Sequence, residues 1–133
     1  MANQNDDKIK ALLQSIEDKK SKMGTKPRAV WQTNGVIGEK NLNTISSIDV
    51  CVELAAQLMG RRDSIAEACR YLGVSRDVKD IEEALADLKL RVQIIQWDLE
   101  KKKLTVMESK LKELRSEDLR TADALDEISK DLG

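Results

Sequence analysis

Apolar residues recur every three or four positions between Ser75 and Leu132, and neither Gly nor Pro interrupts this stretch. The clearest series, which we call the seam, advances by four, three, four, three and four residues, the spacing of a coiled coil. This pattern predicts a long helix from Ser75 to about Leu114 that associates with a second copy of the chain. The seam consists of Ile81, Leu85, Leu88, Val92, Ile95 and Leu99.

A second apolar stripe lies about half a turn away on the same predicted helix. It comprises Leu90, Ile94, Trp97, Leu104 and Leu111. We therefore expect residues 88–99 to be buried on two sides, by the chain's own domain on one face and by a second copy on the other. The same residues alternate with polar ones as in a strand, but the flanks lack turn residues, which favours a helix.

The C-terminal end has a further apolar series, beginning after Ser116. Ser116, followed by two acidic residues, is predicted to cap a separate last helix, which folds back or exchanges with a neighbouring copy. The apolar residues of this predicted helix are Leu119, Ala122, Leu125, Ile128 and Leu132.

The N-terminal third predicts a short amphipathic helix and a hairpin. Apolar residues at helical spacing predict a helix over 5–23, which ends before Pro27. The segment Arg28 to Ile45 has no helical period, and Asn34-Gly35 predicts the turn of a β-hairpin at about 28–40. Trp31 is interpreted either as the core anchor of this hairpin or as an exposed binding residue.

Two short helices are predicted between the hairpin and the long helix. The first begins at a capping box formed by residues 46–49 and ends at Gly60. The second spans residues 64–72 and ends at Gly73. The predicted fold is therefore mainly α, with a globular part over 1–74 and a coiled-coil-like oligomerisation part over 75–133.

Composition adds a reason to expect self-association. The 133 residues include no Phe, one Tyr and two Trp, so the core is aliphatic and thin, and such cores gain stability from association. The net charge of −1 gives no global attraction to nucleic acid or to a membrane surface. The N-terminus has no apolar leader-like region, and we expect a cytoplasmic protein with no membrane partner.

Catalytic and metal-binding patterns are not found in the sequence. The chain contains no His, so Ser-His-Asp and Cys-His arrangements cannot form. Cys51 and Cys69 lack the spacing of metal ligands, and no phosphate-binding Gly-rich motif is present. We expect a protein that is not an enzyme and that uses no cofactor and no metal.

Residues 63–76 resemble the helix-turn-helix signature of bacterial DNA-binding regulators, through the run Leu72-Gly73-Val74-Ser75. The resemblance implies a DNA-binding regulator that uses residues 63–86. The chain departs from that signature at Lys79 and Glu82, where the signature has apolar residues. Acidic residues near the start of the second helix would also repel phosphates, so nucleic acid is the less favoured partner.

These patterns together predict a non-enzymatic homo-oligomer, expected to be a dimer, that acts by protein–protein interaction as a scaffold, adaptor or inhibitor. The candidates for binding another protein are Trp31, Asn34, Arg61 and Arg62, which lie near predicted turns. The first alternative is the DNA-binding regulator. The second is a binder of a small phosphorylated ligand, held between copies by the basic stretch at residues 19–28.

Overall fold

The computed structural model describes the backbone of residues 4–132 and the side chains of residues 6–116. Over these residues the chain is mainly helical, with a small antiparallel hairpin and a long C-terminal helix, as predicted. The elements in chain order are α1 (Gln4–Met23), β1 (Val36–Ile37), β2 (Lys40–Asn41), a 3₁₀ turn (Leu42–Thr44), α2 (Ile48–Leu72) and α3 (Lys79–Leu132).

Two compact units divide the chain. The terminal unit comprises Met1–Thr25 and Leu99–Gly133, and the central unit comprises Lys26–Asp98. Helix α3 contributes residues to both units. The predicted boundary between residues 74 and 75 falls within the central unit, in the link between α2 and α3.

In the terminal unit, α1 packs its apolar face against α3. The buried residues are Ile16, Leu104 and Leu111, and partly buried apolar side chains surround them. Acidic residues in the first turn of α1 and lysines in its last turn complement the helix dipole. The predicted helix over 5–23 is thus confirmed, and its apolar stripe is the face that it buries.

The core of the central unit lies between α2, α3 and the 3₁₀ turn that follows the hairpin. Its buried residues are Leu42, Ile45, Cys51, Leu88 and Ile95. Helices α2 and α3 are consecutive, are joined by a six-residue link and line one groove together, so they run side by side in opposite directions. The central unit is therefore an αα-hairpin with the β-hairpin packed near one end.

Helix α2 is one element, whereas the sequence predicted two. It runs through Gly60, because one Gly weakens a helix by only about 1 kcal/mol relative to Ala. Ser47 is the N-cap, and its hydroxyl accepts a hydrogen bond from the N–H of Val50 at 3.4 Å. Gly73 ends the helix in the left-handed conformation, with φ 69° and ψ 31°, as predicted.

The β-hairpin forms later in the chain than Asn34-Gly35 predicted. Val36 pairs with Asn41 and Ile37 with Lys40, so the turn residues are Gly38 and Glu39. Asn34 and Gly35 do have positive φ, at 59° and 82°, but they shape the loop that precedes β1. Gly38 has φ 61° at the first turn position, where a type II′ turn requires Gly.

Helix α3 differs from the prediction at both ends. It begins at Lys79, whose N–H donates to the Asp77 carboxylate at 2.8 Å, four residues later than predicted. It continues through Ser116 to Leu132, so the separate last helix predicted from Ser116 is wrong. The apolar side chains predicted for that helix, Leu119 to Leu132, lie outside the described side chains.

Candidate functional site

An apolar groove lies between α2 and α3 in the central unit, with a volume of about 480 Å³. Its floor includes Cys51 and Leu88, which belong to the buried core. Two of its wall residues expose much of their surface, Val52 by 58% and Met59 by 46%. The groove residues are Cys51, Val52, Ala55, Met59 and Arg62 from α2, and Leu85, Ala86, Leu88, Lys89 and Val92 from α3.

The groove forms because only some of the apolar residues on α2 and α3 are buried in the core between the two helices. Leu88 and Ile95 point into the core beside Cys51, which leaves Leu85 and Val92 half-buried along the edge of the contact. On α2, Val52 and Met59 are seven residues apart and so lie on one face of the helix. Small side chains such as Ala55 and Ala86 keep the space between the helices open.

Positive charge flanks this apolar surface. Arg62 lies at the groove, and its Nε is 3.9 Å from the Asp63 carboxylate, which is well exposed to water. Lys89 also lines the groove, and no described side chain forms an ion pair with it. The groove therefore suits a ligand that has an apolar face and negative charges beside it.

The floor of the groove contains a thiol that is protected from solvent. Cys51 is 1% exposed, and burial raises the pKa of its thiol, while the positive charge of Arg91 acts in the opposite direction. The Arg91 Nε donates to the Ile45 carbonyl at 2.6 Å, which holds the end of the 3₁₀ turn against α3. Burial and the raised pKa both make Cys51 a structural residue rather than a reactive nucleophile.

A buried carboxylate holds the loop before the β-hairpin on another face of α3. Asp87 is 1% exposed, and it accepts hydrogen bonds from the N–H groups of Gln32 and Thr33 and from the Thr33 hydroxyl, at 2.6 to 3.1 Å. At the other end of this segment, the Lys26 ammonium lies 2.9 Å from the Asp98 carboxylate and 5.6 Å from the Trp97 ring centre. Segment 26–33 is thus held on the face of α3 that carries the second predicted stripe.

The predicted seam is divided by this packing. Ile81, Leu88 and Ile95 are buried within the chain itself, whereas Leu85 and Val92 are half-buried at the groove. Leu99, in the terminal unit, is 46% exposed. The seam residues are therefore not all available to a second copy: in the central unit Leu85 and Val92 are half-buried at the groove, and Leu88 lies buried on its floor.

The four predicted partner-binding residues occupy different surroundings. Trp31 is half-buried against the central core, and its Nε1–H donates to the Asn43 side chain at 3.2 Å. Asn34 and Arg61 are exposed, and Arg62 is half-buried at the groove. The structure thus brings Arg62 together with Leu85, Leu88 and Val92 from the seam, and it gives Trp31 a core position.

Sequence reasoning did not identify Val52, Met59 and Lys89 as site residues. Val52, Ala55, Met59 and Arg62 are spaced by three, four and three residues, which is a helical stripe. Val52, Ala55 and Met59 precede Gly60, so this part of the stripe is visible within the first predicted helix, and only its continuation to Arg62 depends on a helix that runs past Gly60. The missed signal was therefore the spacing of Val52, Ala55 and Met59, together with its extension to Arg62.

The basic stretch proposed to bind phosphate is largely paired with carboxylates. Lys19 forms an ion pair and a hydrogen bond with Glu100, and the Lys20 ammonium is 3.9 Å from the Glu108 carboxylate. Lys26 is paired with Asp98, as described above. Hydrogen bonds from Lys19 and then Lys103 lower the pKa of Glu100. Lys19, Lys20 and Lys26 are therefore already paired with acidic side chains of α3.

The region that resembles a helix-turn-helix forms the link of the αα-hairpin. Here α2 and α3 are joined by a six-residue link, whereas the two helices of a helix-turn-helix are joined by a turn of about 3–4 residues. Three apolar or aromatic side chains at the end of α2 and in the link are exposed, Tyr71, Leu72 and Val74. This geometry adds no support to the DNA-binding alternative, which stays a prediction.

Two further features are absent from the described residues. Among them, no group of three or more Cys, Asp or Glu side chains is arranged to hold a metal ion. None of the described helical stretches combines the length and apolar character needed to span a lipid bilayer.

Comparisons with models of protein families, with curated proteins and with solved structures find no match to this chain.

Proposed function

We propose that this chain is a non-enzymatic, self-associating helical protein that acts by protein–protein interaction, and that the α2–α3 groove is its main binding surface. The observation that carries this proposal is the exposure of Val52 and Met59 in an apolar groove. Contiguous apolar surface of this kind marks interaction sites on soluble proteins.

The shape of the groove supports binding of a helix. Apolar side chains from two helices line it, with cations at the edge, and an amphipathic helix places its apolar face in such a surface. Covering apolar surface stabilises a complex by about 25 cal/mol per Å² removed from water, before the entropy of association is subtracted. The thin aliphatic core of a 133-residue chain adds a reason for such association.

Self-association through this groove modifies the role first predicted for the seam. Ile81, Leu88 and Ile95 stabilise the folded chain, while Leu85 and Val92 contribute to the contact with a partner. A non-enzymatic role is supported by the lack of His in the sequence and by the structural roles of Asp87, Asp98 and Glu100.

The proposal is tested by sedimentation of the full chain over a range of micromolar concentrations. We expect a species of twice the 15.0 kDa chain mass, which dissociates on substitution of Val52→Glu because a charge then lies in the apolar groove. Val30→Glu is the matched control, since Val30 is 68% exposed, belongs to the same unit and does not line the groove.

Circular dichroism checks that both variants keep their helices. A full chain that stays at 15.0 kDa at every concentration, with the same sedimentation for Val52→Glu, would overturn the self-association proposal.

A further inference from the structure

We propose that the groove of the central unit binds the acidic C-terminal segment, residues 117–132, of a second copy of this chain. This inference rests on the proposed function, because it names the partner segment that the groove takes.

The charge at the groove selects against binding of two grooves face to face. Arg62 and Lys89 both line it, and no carboxylate belongs to its lining. Two grooves in contact would therefore bring positive charges together, which is unfavourable when the charges lose water. A negatively charged helix suits the same surface.

The C-terminal segment has the required sequence. Residues 117–132 contain six acidic and two basic residues. The apolar residues of the segment are spaced by three, three, three and four positions from Leu119 to Leu132, a spacing that gives an apolar stripe on a helix. The backbone of α3 is helical through this segment. An acidic amphipathic helix is the kind of ligand that an apolar groove with cationic edges binds.

We assign the occupant to another molecule. Leu85 and Val92 lie on α3, and the segment 117–132 is the end of that same helix. Sharp bends in helices occur at Pro, at Gly or at bulges, and no Gly or Pro is present from Ser75 to Leu132. The proposal therefore takes the segment from a second copy. Two copies can each supply one segment and one groove, which forms a closed two-fold dimer.

The apolar part of this contact is tested on the full chain with Leu125→Glu, which places a charge in the middle of the apolar stripe. We expect the dimer dissociation constant to rise by about tenfold or more, as for Val52→Glu. Ala124→Glu adds the same charge outside the arc from Leu119 to Ile128 and should leave the constant within about twofold.

The electrostatic part is tested by charge reversal. Replacing Arg62 and Lys89 by Glu should weaken the dimer, and replacing Asp123, Asp126 and Glu127 by Lys in the same chain should restore it, because the two sets of charges then attract again. Sedimentation gives the dissociation constants, and circular dichroism checks the fold.

The outcomes separate this inference from the proposed function. If Val52→Glu dissociates the dimer but Leu125→Glu and the charge reversals do not, another segment occupies the groove and this inference is wrong, while the proposed function stands. If the unmodified chain is monomeric throughout, the proposed self-association and this inference both fail. Weakening by Leu125→Glu with restoration by the double charge reversal supports the inference.

Discussion

The carboxylate of Asp87 on α3 accepts two hydrogen bonds from Thr33, one from its N–H at 2.8 Å and one from its hydroxyl at 2.6 Å. The two residues are 54 positions apart in the sequence, and the carboxylate is buried. Its charge is compensated by donors of the loop, including the N–H of Gln32. This contact fixes the loop before the β-hairpin on the helix that also forms the groove.

Replacing Asp87 by Ala should lower the free energy of unfolding by about 2 to 4 kcal/mol, because buried donors lose a charged acceptor. Asp87→Asn keeps one acceptor oxygen, so it should lower the free energy of unfolding by about half as much as Asp87→Ala does. Asp98→Ala is the control on the same helix, since its ion pair with Lys26 is exposed to water and should contribute about 1 kcal/mol or less. Urea unfolding measures all three, and an Asp87→Ala variant as stable as the unmodified chain would contradict this role.

Gly60 within α2 and Gly73 at its C-terminal end should respond to Ala in opposite directions. A Cβ atom at Gly60 would meet no atom within 4 Å, and the residue is helical, so Gly60→Ala should raise the free energy of unfolding by about 0.5 to 1 kcal/mol. Gly73 has φ 69°, a left-handed conformation that a side chain disfavours. Gly73→Ala should therefore lower the free energy of unfolding by about 1 to 2 kcal/mol. Thermal unfolding measures the stability of both variants against that of the unmodified chain. A loss of stability in Gly60→Ala would count against a continuous α2.

The two cysteines should differ in reactivity. In the folded chain, iodoacetamide should modify the half-buried Cys69 at least about tenfold faster than Cys51, because Cys51 is buried and burial raises its pKa. In denaturant the two rates should become similar. Peptide mass spectrometry measures both, and equal rates in the folded chain would show that the groove floor is open to solvent.

The raised pKa of Cys51 also predicts a dependence of stability on pH. In the unfolded chain the Cys51 thiol loses its proton at about pH 8.5, whereas in the folded chain it keeps the proton to higher pH. Stability therefore falls as the pH rises above that value. Cys51→Ala should reduce this slope between neutral and alkaline pH. The comparison uses the slope rather than the absolute stability, because the substitution also leaves a small cavity.

Acid should weaken the terminal unit through Glu100. Since hydrogen bonds from Lys19 and Lys103 lower the pKa of this carboxyl, its stabilising effect is present above its ordinary pKa of about 4.3 and is lost as the pH falls through the lowered value. Lys19→Met should move the pKa of Glu100 back toward its ordinary value, and Lys22→Met should leave it in place. Carboxyl resonances in NMR titrations report this pKa, and a Glu100 pKa insensitive to Lys19→Met would refute the assignment.

The helices and the left-handed end of α2 at Gly73 could be predicted because they depend on local spacing and on backbone conformation. The continuity of α2 could not, since packing against α3 outweighs the small cost of Gly60. Asn34 and Gly35 adopt the expected positive φ, but the register of the hairpin depends on Gly38 and on contacts of the 3₁₀ turn.

The groove was predictable only in part. Leu85 and Val92 were identified as association residues from their spacing, and Arg62 as a binding candidate. The roles of Leu88 and Ile95 depend on which face α2 covers, and a periodic pattern does not identify the element that covers it. Asp87 resembled any acidic residue of a charged helix, since its partners lie in a distant loop.

Dilution NMR of the methionine methyl groups tests the central claim most directly. Met59 lies in the groove, whereas Met23 and Met107 pack in the terminal unit. If a second copy occupies the groove, the Met59 methyl resonance should shift on dilution from high to low micromolar concentration, while those of Met23 and Met107 stay in place. A Met59 resonance that does not change with concentration, in a chain whose mass doubles, would place the self-association elsewhere and contradict the account.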